Sequence, residues 1–370
     1  TLSLAATVAL SMTGCGGSDT TTTTTTTGGG TVTPTTALQV IVAEDGITRT
    51  LDNTTLSAQA YTSDVNLTAD TVYELTGLVE IQSPATLNIE AGTTIIGNDG
   101  AYIVVEQGAQ INADGNITNP IVFTSKIAYN GGVSEPGQWG GLTILGKATT
   151  NDATSPFYEV DQTKSGFVYG GTTDADNSGV LNYVSILNSG SIIGTDIEIN
   201  GLSLCGVGSG TTVSNITVVN SSDDGIEVWG GTVNMSNLTI IGALDDSLDL
   251  DSGYTGTVDG VYVSQLGVAH AGFEISSGGD TPMTSATIKN FSIVKVDGSD
   301  EGGIYIKDDT TAPTFINGSV IPKGTDAALL VRNAMLPAQI AAISFDSVLL
   351  DANVTYGGTG ADQMKTKLEN

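Results

Sequence analysis

The sequence predicts an all-β protein coiled into a parallel β-solenoid, and three observations carry that expectation. The composition is one of many short strands: 48 glycines in 370 residues, only 7 Phe and 2 Trp, and repeated short runs of Val, Ile and Thr. No helical period separates those runs, which argues against alternating strands and helices. Finally, one phrase recurs. Ser222-Asp223-Asp224-Gly225-Ile226-Glu227-Val228-Trp229-Gly230-Gly231 is echoed by Leu244-Asp245-Asp246-Ser247-Leu248-Asp249-Leu250-Asp251, by Ala269-His270-Ala271-Gly272-Phe273-Glu274-Ile275-Ser276, and by Asp300-Glu301-Gly302-Gly303-Ile304-Tyr305-Ile306-Lys307.

The charge balance narrows the partners. Eleven Lys and Arg stand against 40 Asp and Glu, a formal net charge of −29. Such a surface repels nucleic acid and anionic membranes, and it favours cations, neutral glycans or basic proteins.

The first segment, Thr1 to Met12, is apolar, uncharged and too short to span a bilayer, so it reads as the hydrophobic part of a secretion signal. Met12-Thr13-Gly14-Cys15 resembles the lipobox of bacterial lipoproteins, in which the cysteine is lipidated and becomes the mature N-terminus. Gly16 after it resembles lipoproteins sorted to the outer membrane, where the folded part would face the cell surface or the periplasm. With Cys15 lipidated, Cys205 has no partner for a disulfide. The expected organisation is a signal at 1–14, a Thr/Gly-rich disordered tether at 15–36, a β-helix at 37–360 and a polar cap or tail at 361–370. On this reading the protein meets a membrane only through its lipid.

From about Ala37 onward, short alternating strands are punctuated by Gly, Asn, Asp and Thr turns. Thr86-Leu87-Asn88-Ile89-Glu90-Ala91-Gly92-Thr93 and Ile103-Val104-Val105-Glu106-Gln107-Gly108-Ala109 share one form, ending in an acid and a glycine turn. In the later coils the apolar pairs Leu202/Leu204, Ile226/Val228, Leu248/Leu250, Phe273/Ile275, Ile304/Ile306 and Leu329/Val331 align at steps of 24, 22, 25, 31 and 25 residues. Each step fits one three-sided coil. A second strand per coil follows at 213–219, 235–241, 258–263, 286–294 and 315–321. The region Leu38 to Leu56 and the C-terminal segment are the natural caps of the exposed solenoid ends.

Stacked coils place equivalent residues about 4.8 Å apart, so outward residues form columns. One column reads Ser203, Glu227, Asp249, Glu274, Tyr305, Leu330; a second reads Ile199, Asp223, Asp245, His270, Glu301, Asp326; a third reads Cys205, Trp229, Asp251, Ser276, Lys307, Arg332. From Ser221 to Asp309 there are fifteen acids and three bases, expected along one flank. Closely spaced carboxylates need a counter-charge, strong solvation or raised pKa values. Calcium reconciles them most simply, with Asp223, Asp224, Asp245, Asp246 and Asp249 as oxygen ligands, while a solvated acidic face is the plainer account. His270 falls between Asp245 and Glu301, but one imidazole without a thiolate is a poor transition-metal site.

Gly137-Gln138-Trp139-Gly140-Gly141-Leu142, Gly206-Val207-Gly208-Ser209-Gly210-Thr211 and Asp223-Asp224-Gly225-Ile226-Glu227 resemble landmarks of bacterial surface lipoproteins built as a right-handed, pectin-lyase-like parallel β-helix. That resemblance, from about Tyr61 to Ile321, implies a fold and a cell-surface address, with no reaction attached. The residues themselves put Trp139 in packing at a coil corner. A more local resemblance is to polygalacturonase-type glycosidases, whose N-T-D, D-D, G-H-G and R-I-K motifs are similar to Ser222-Asp223-Asp224, Asp245-Asp246, His270-Ala271-Gly272 and Tyr305-Ile306-Lys307. It implies inverting hydrolysis with Asp245 as acid, Asp224 and Asp246 as base, and His270 and Lys307 beside them. Ala271 interrupts the histidine motif, and Tyr305 replaces the arginine. The leading expectation is therefore a lipid-anchored surface β-helix that binds a glycan, a cation or another surface protein through its acidic flank. The alternative is a glycoside hydrolase of extracellular polysaccharide.

Overall fold

The computed structural model describes residues 39–42, 48–151, 164, 166–194, 197–267, 269–279, 281–295, 301–322, 327–331, 337–350 and 366. The readings for the signal, Cys15 and the tether, for the tail other than Thr366, and for Asp326 and Arg332 lie outside these residues.

The described chain is a parallel β-helix. A 15-stranded sheet and a 10-stranded sheet run along one core, and each strand hydrogen-bonds to its equivalents one coil before and after. The 10-stranded sheet holds the aligned repeats in the expected register: Leu202, Ile226, Leu248, Phe273, Ile304 and Leu329 are successive partners. The alternation of the phrase forces this arrangement. Ile226 and Val228 point into the core, so Glu227 between them must point out.

The third side of each coil comes from a bend within the long strands. In the first coils the long sheet is made of separate strand pairs, such as Gln110–Asp114 and Ile121–Ser125, which both pair with the single strand Gly179–Leu187. From Gly179–Leu187 on, the two halves are continuous and kink at one left-handed residue each: Tyr183, Asn215, Asn237, Gly260, Asn290, Asn317 and Ser347, all with φ between 48° and 82°. Asparagine tolerates this conformation better than other residues with a Cβ. Its amide then bridges coils: Asn215 Nδ2 donates to Asn182 Oδ1 at 2.8 Å, Asn237 to Asn215 at 3.2 Å, and Asn317 to Asn290 at 2.7 Å.

Inside, like residues stack on like. Phe273, Phe291, Phe315 and Phe345 form a continuous column with centroid separations of 5.4, 5.9 and 5.0 Å. Trp139 is fully buried, lies parallel to Phe123 at 6.2 Å and donates to the Leu187 carbonyl at 2.7 Å. Gly97 makes room for it, since a Cβ there would meet the Trp139 side chain at 2.7 Å. The packing role read for Trp139 is what this corner requires. At the N-terminal end, Gln39–Val42 runs antiparallel to Thr48–Leu56, which pairs with Thr71–Leu75 and so occupies the sheet edge that the first coil would otherwise expose. Short helices at Lys126–Tyr129 and Pro337–Ala342 interrupt the strands of the described residues.

A candidate carboxylate site

The acidic columns lie on the outer side of the 10-stranded sheet. Glu227, Asp249, Glu274 and Tyr305 are partners in register, and the turn that precedes each strand adds Asp223/Asp224, Asp245/Asp246, His270/Ala271 and Glu301/Gly302. The second position of these turns has a backbone task. Asn200 Oδ1 accepts from Asp224 N at 3.1 Å, Asp224 Oδ1 accepts from Asp246 N at 2.8 Å, and Asp246 Oδ1 accepts from Ala271 N. Each side chain therefore caps the next coil's turn, which explains an acid at this position on structural grounds. Asn200 also donates from Nδ2 to Glu227 Oε2 at 2.5 Å.

The solvated acidic face is not what forms. Asp223, Asp224, Glu227, Asp246, Asp249 and Glu274 are all buried, between 8% exposed for Asp223 and 2% for Glu274. Solvent reaches the rim instead: the side chains of His270, Asp245 and Glu301 are 56%, 38% and 28% exposed. Nor do all the charges of Ser221 to Asp309 share one flank. Asp259 and Lys289 lie on the long sheet, paired with each other at 3.0 Å.

Burial governs the protonation of the inner group. It raises Asp246 to about 9, with the charges of Glu274 and Asp245 adding to it, and raises Asp223 to about 7, with Glu198 and Asp245 adding. Asp224 and Asp249 are pushed well above the carboxylate range by burial and then by their neighbours, Glu227 and Glu274 respectively. Burial also raises Glu274, although Lys307 opposes it. Lys307 Nζ bonds Glu274 Oε1 at 2.6 Å; burial works against the ammonium, and this partner outweighs burial and raises its pKa. His270 Nδ1 meets Asp245 Oδ1 and lies 3.9 Å from Glu301 Oε2.

Three triads result, the first two sharing Asp224: Asp223/Asp224/Asp245, Asp224/Glu227/Asp249 and Asp246/Glu274/Glu301. In each, one oxygen per residue lies within 4.8 Å of the others. Two oxygens on opposite sides of a calcium ion at 2.3 to 2.6 Å are separated by about that distance. In the middle triad, Asp249 Oδ1 is buried with no hydrogen-bond partner among the described residues, a lone pair available to a cation. The donor set, all oxygen and strongly anionic, suits a hard cation.

The sequence-predicted residues Asp223, Asp224, Asp245, Asp246, Asp249, His270 and Lys307 all come to this one face. Glu227, Glu274 and Glu301 complete the triads, although the sequence pattern placed them only in columns. Asn200 was missed, and its signal was its place one coil before Asp224. A second group on the same sheet was also missed: Lys164 Nζ bonds Glu80 Oε1 at 2.5 Å, and Gln82 Nε2 bonds Glu106 Oε1 at 3.0 Å. Lys164 lies in the sequence between the strands Leu142–Leu145 and Gly179–Leu187, where no strand pattern points to it.

Residues 59–367 match the family model described as a pectate-lyase like beta helix domain. The chain belongs to this pectate-lyase-like β-helix family. The fold expected from the coil repeat is thereby shown. Among solved structures, the chain is similar to the enzymatically active domain of tailspike protein 2 of bacteriophage CBA120, at 13% identity and a TM-score of 0.29, over 78% of this chain and 38% of that one. The full-length tailspike protein 2 of Escherichia coli O157:H7 bacteriophage CAB120 aligns over the same shares at 13% identity and a TM-score of 0.30. The Agl-KA catalytic domain aligns at 13% identity and a TM-score of 0.25, over 78% of this chain and 62% of that domain. The pectate-lyase-like chain thus spans well under half of the tailspike chains' length. A search of curated proteins returned no match.

Proposed function

We propose that the protein binds polysaccharide without hydrolysing it, through calcium held among the carboxylates of the 10-stranded sheet. The observation that carries this reading is the set of three carboxylate triads, buried at the centre and open at the rim through Asp245 and Glu301. Buried carboxylates are costly when charged, and a divalent cation turns that cost into ligation. The rim members leave coordination positions for an outside ligand, for which a sugar hydroxyl or carboxylate oxygen is suitable. Polysaccharide is favoured because the family description is pectate-lyase like.

Hydrolysis fits the site less well. Inverting catalysis needs one carboxylic acid and one ionised carboxylate on opposite sides of the scissile bond, about 6.5 to 9.5 Å apart. Asp224 and Asp246, the base pair of the glycosidase resemblance, are both held towards the protonated form and both bound to backbone N–H groups. Asp245, its acid, is engaged by His270.

Calorimetry and a polysaccharide pull-down, each with calcium and with chelator, test the reading. Binding is expected with calcium, to be lost with chelator and weakened in Asp245→Asn/Glu301→Gln. Reducing-sugar release that disappears in Asp245→Asn would overturn it in favour of the glycosidase. Lipid anchoring rests on Met12-Thr13-Gly14-Cys15, and the outer-membrane address, facing the surface or the periplasm, on Gly16; labelled palmitate should be incorporated by the protein and not by Cys15→Ser.

A further inference from the structure

On the long sheet, away from the carboxylate triads, amides recur among the outward side chains of the early coils. Asn66, Asn88 and Asn112 are partners in register, as are Thr86 and Gln110. The next rung begins at Gly179, whose φ is +116° and whose Cβ would lie 1.9 Å from the Ile111 carbonyl oxygen, so no side chain is possible there. The gap opens a cleft lined by Thr86, Asn88, Gln110, Asn112, Asn177 and Gly179, together with Ile111 and Val180. None of these side chains is charged, in a chain whose net charge is −29.

The side-chain amides of this strip each donate one hydrogen bond to a neighbouring segment. Asn112 Nδ2 donates to Asn88 Oδ1 at 3.5 Å, Asn88 Nδ2 donates to Asn66 Oδ1 at 3.1 Å, and Gln110 Nε2 donates to the Asn177 carbonyl at 3.1 Å. No protein group among the described residues donates to Asn112 Oδ1 or Gln110 Oε1. Both are left as acceptors at the cleft, with the Thr86 hydroxyl beside them. A primary amide keeps a donor and an acceptor in one plane, and a sugar hydroxyl both donates and accepts.

We propose that this cleft is a second saccharide subsite, which takes an uncharged hexose unit through Asn88, Gln110 and Asn112. It rests on the polysaccharide reading for the class of ligand, and on neither the cation nor the carboxylates. The absence of charge in the lining sets its preference: a neutral sugar loses nothing there, whereas a uronate would bring a carboxylate to acceptor oxygens.

The probes are the neutral hexasaccharides of β-1,4-glucan, β-1,3-glucan, α-1,4-glucan and β-1,4-mannan, with hexagalacturonate as the acidic counterpart, titrated into the whole protein by NMR and calorimetry. At least one neutral hexasaccharide should bind, and Gln110→Ala/Asn112→Ala should weaken it about tenfold or more. The thermal midpoint of that variant and its response to calcium should match the wild type, because both residues are exposed. The proposal is overturned if no neutral hexasaccharide binds, if only hexagalacturonate binds, or if the double variant binds as the wild type does. If the calcium response vanishes in the wild type while neutral binding persists, the carboxylate reading fails and this one stands.

Discussion

Two columns of this β-helix come from the same coil repetition and reach opposite electrostatic outcomes. At the bends of the long sheet, asparagines link the coils: Asn215 donates to Asn182 and accepts from Asn237, and further on Asn317 donates to Asn290, which donates in turn to Asp259. On the 10-stranded sheet, Glu227, Asp249 and Glu274 succeed one another as acceptors with nothing to donate, and they are buried. Repeating a side chain that donates and accepts adds a hydrogen bond per coil. Repeating one that only accepts adds repulsion until a proton, a lysine or a cation intervenes.

The largest test of this contrast is pH. The folded-state pKa values of Asp223 and Asp246 are raised above 3.8, to about 7 and about 9. The native state therefore holds protons that the unfolded chain has released, and stability falls as pH rises from about 4 through about 9. Denaturation by urea with chelator present should show a loss of several kcal/mol between pH 4.5 and 8.5, since each tenfold difference in proton affinity between the folded and unfolded chain is worth about 1.4 kcal/mol. Calcium should flatten that slope. An equal midpoint at both pH values would mean that the buried carboxylates are compensated in some other way.

Next in size is removal of one acid from the column. Asp249→Asn keeps the shape, supplies a donor to Glu227 or Glu274, and should raise stability at pH 8 in chelator by about 1 to 3 kcal/mol. The same change should diminish the stabilisation by calcium, and a variant that gains nothing in chelator would contradict the repulsion. In the other column, Asn215→Ala loses a bridging amide and leaves an alanine at φ 54°; a cost of about 2 kcal/mol is expected in thermal denaturation. Asn215→Gly should recover about half of it by relieving the backbone alone. The smallest effect belongs to the rim. Asp245→Asn breaks an exposed contact with His270 and should move stability by less than about 1 kcal/mol while still weakening calcium-dependent polysaccharide binding.

Much of this molecule was legible because a strand pattern of period two fixes which side chains face inwards, and a coil step fixes which residues become neighbours. Leu202 to Leu329, and with them the columns of Glu227 and Asp245, follow from that arithmetic. The left-handed bends were less visible, since Asn215-Ile216-Thr217 and Asn237-Leu238-Thr239 read as uninterrupted alternation. The triads were hidden for another reason. Outward does not mean exposed: Asp224 belongs to a turn, yet its carboxylate converges with Glu227 and Asp249 from two successive strands.

The sequence alone determined the solenoid, its register and the set of carboxylates that would share a face, because these depend on local alternation and on the length of one repeat. Only the tertiary structure decided that those carboxylates would be buried, which of them would group in threes, and that the amides of the early coils would border an uncharged cleft. Each of these depends on distances between side chains on different coils, and on what remains open to water once the coils have stacked.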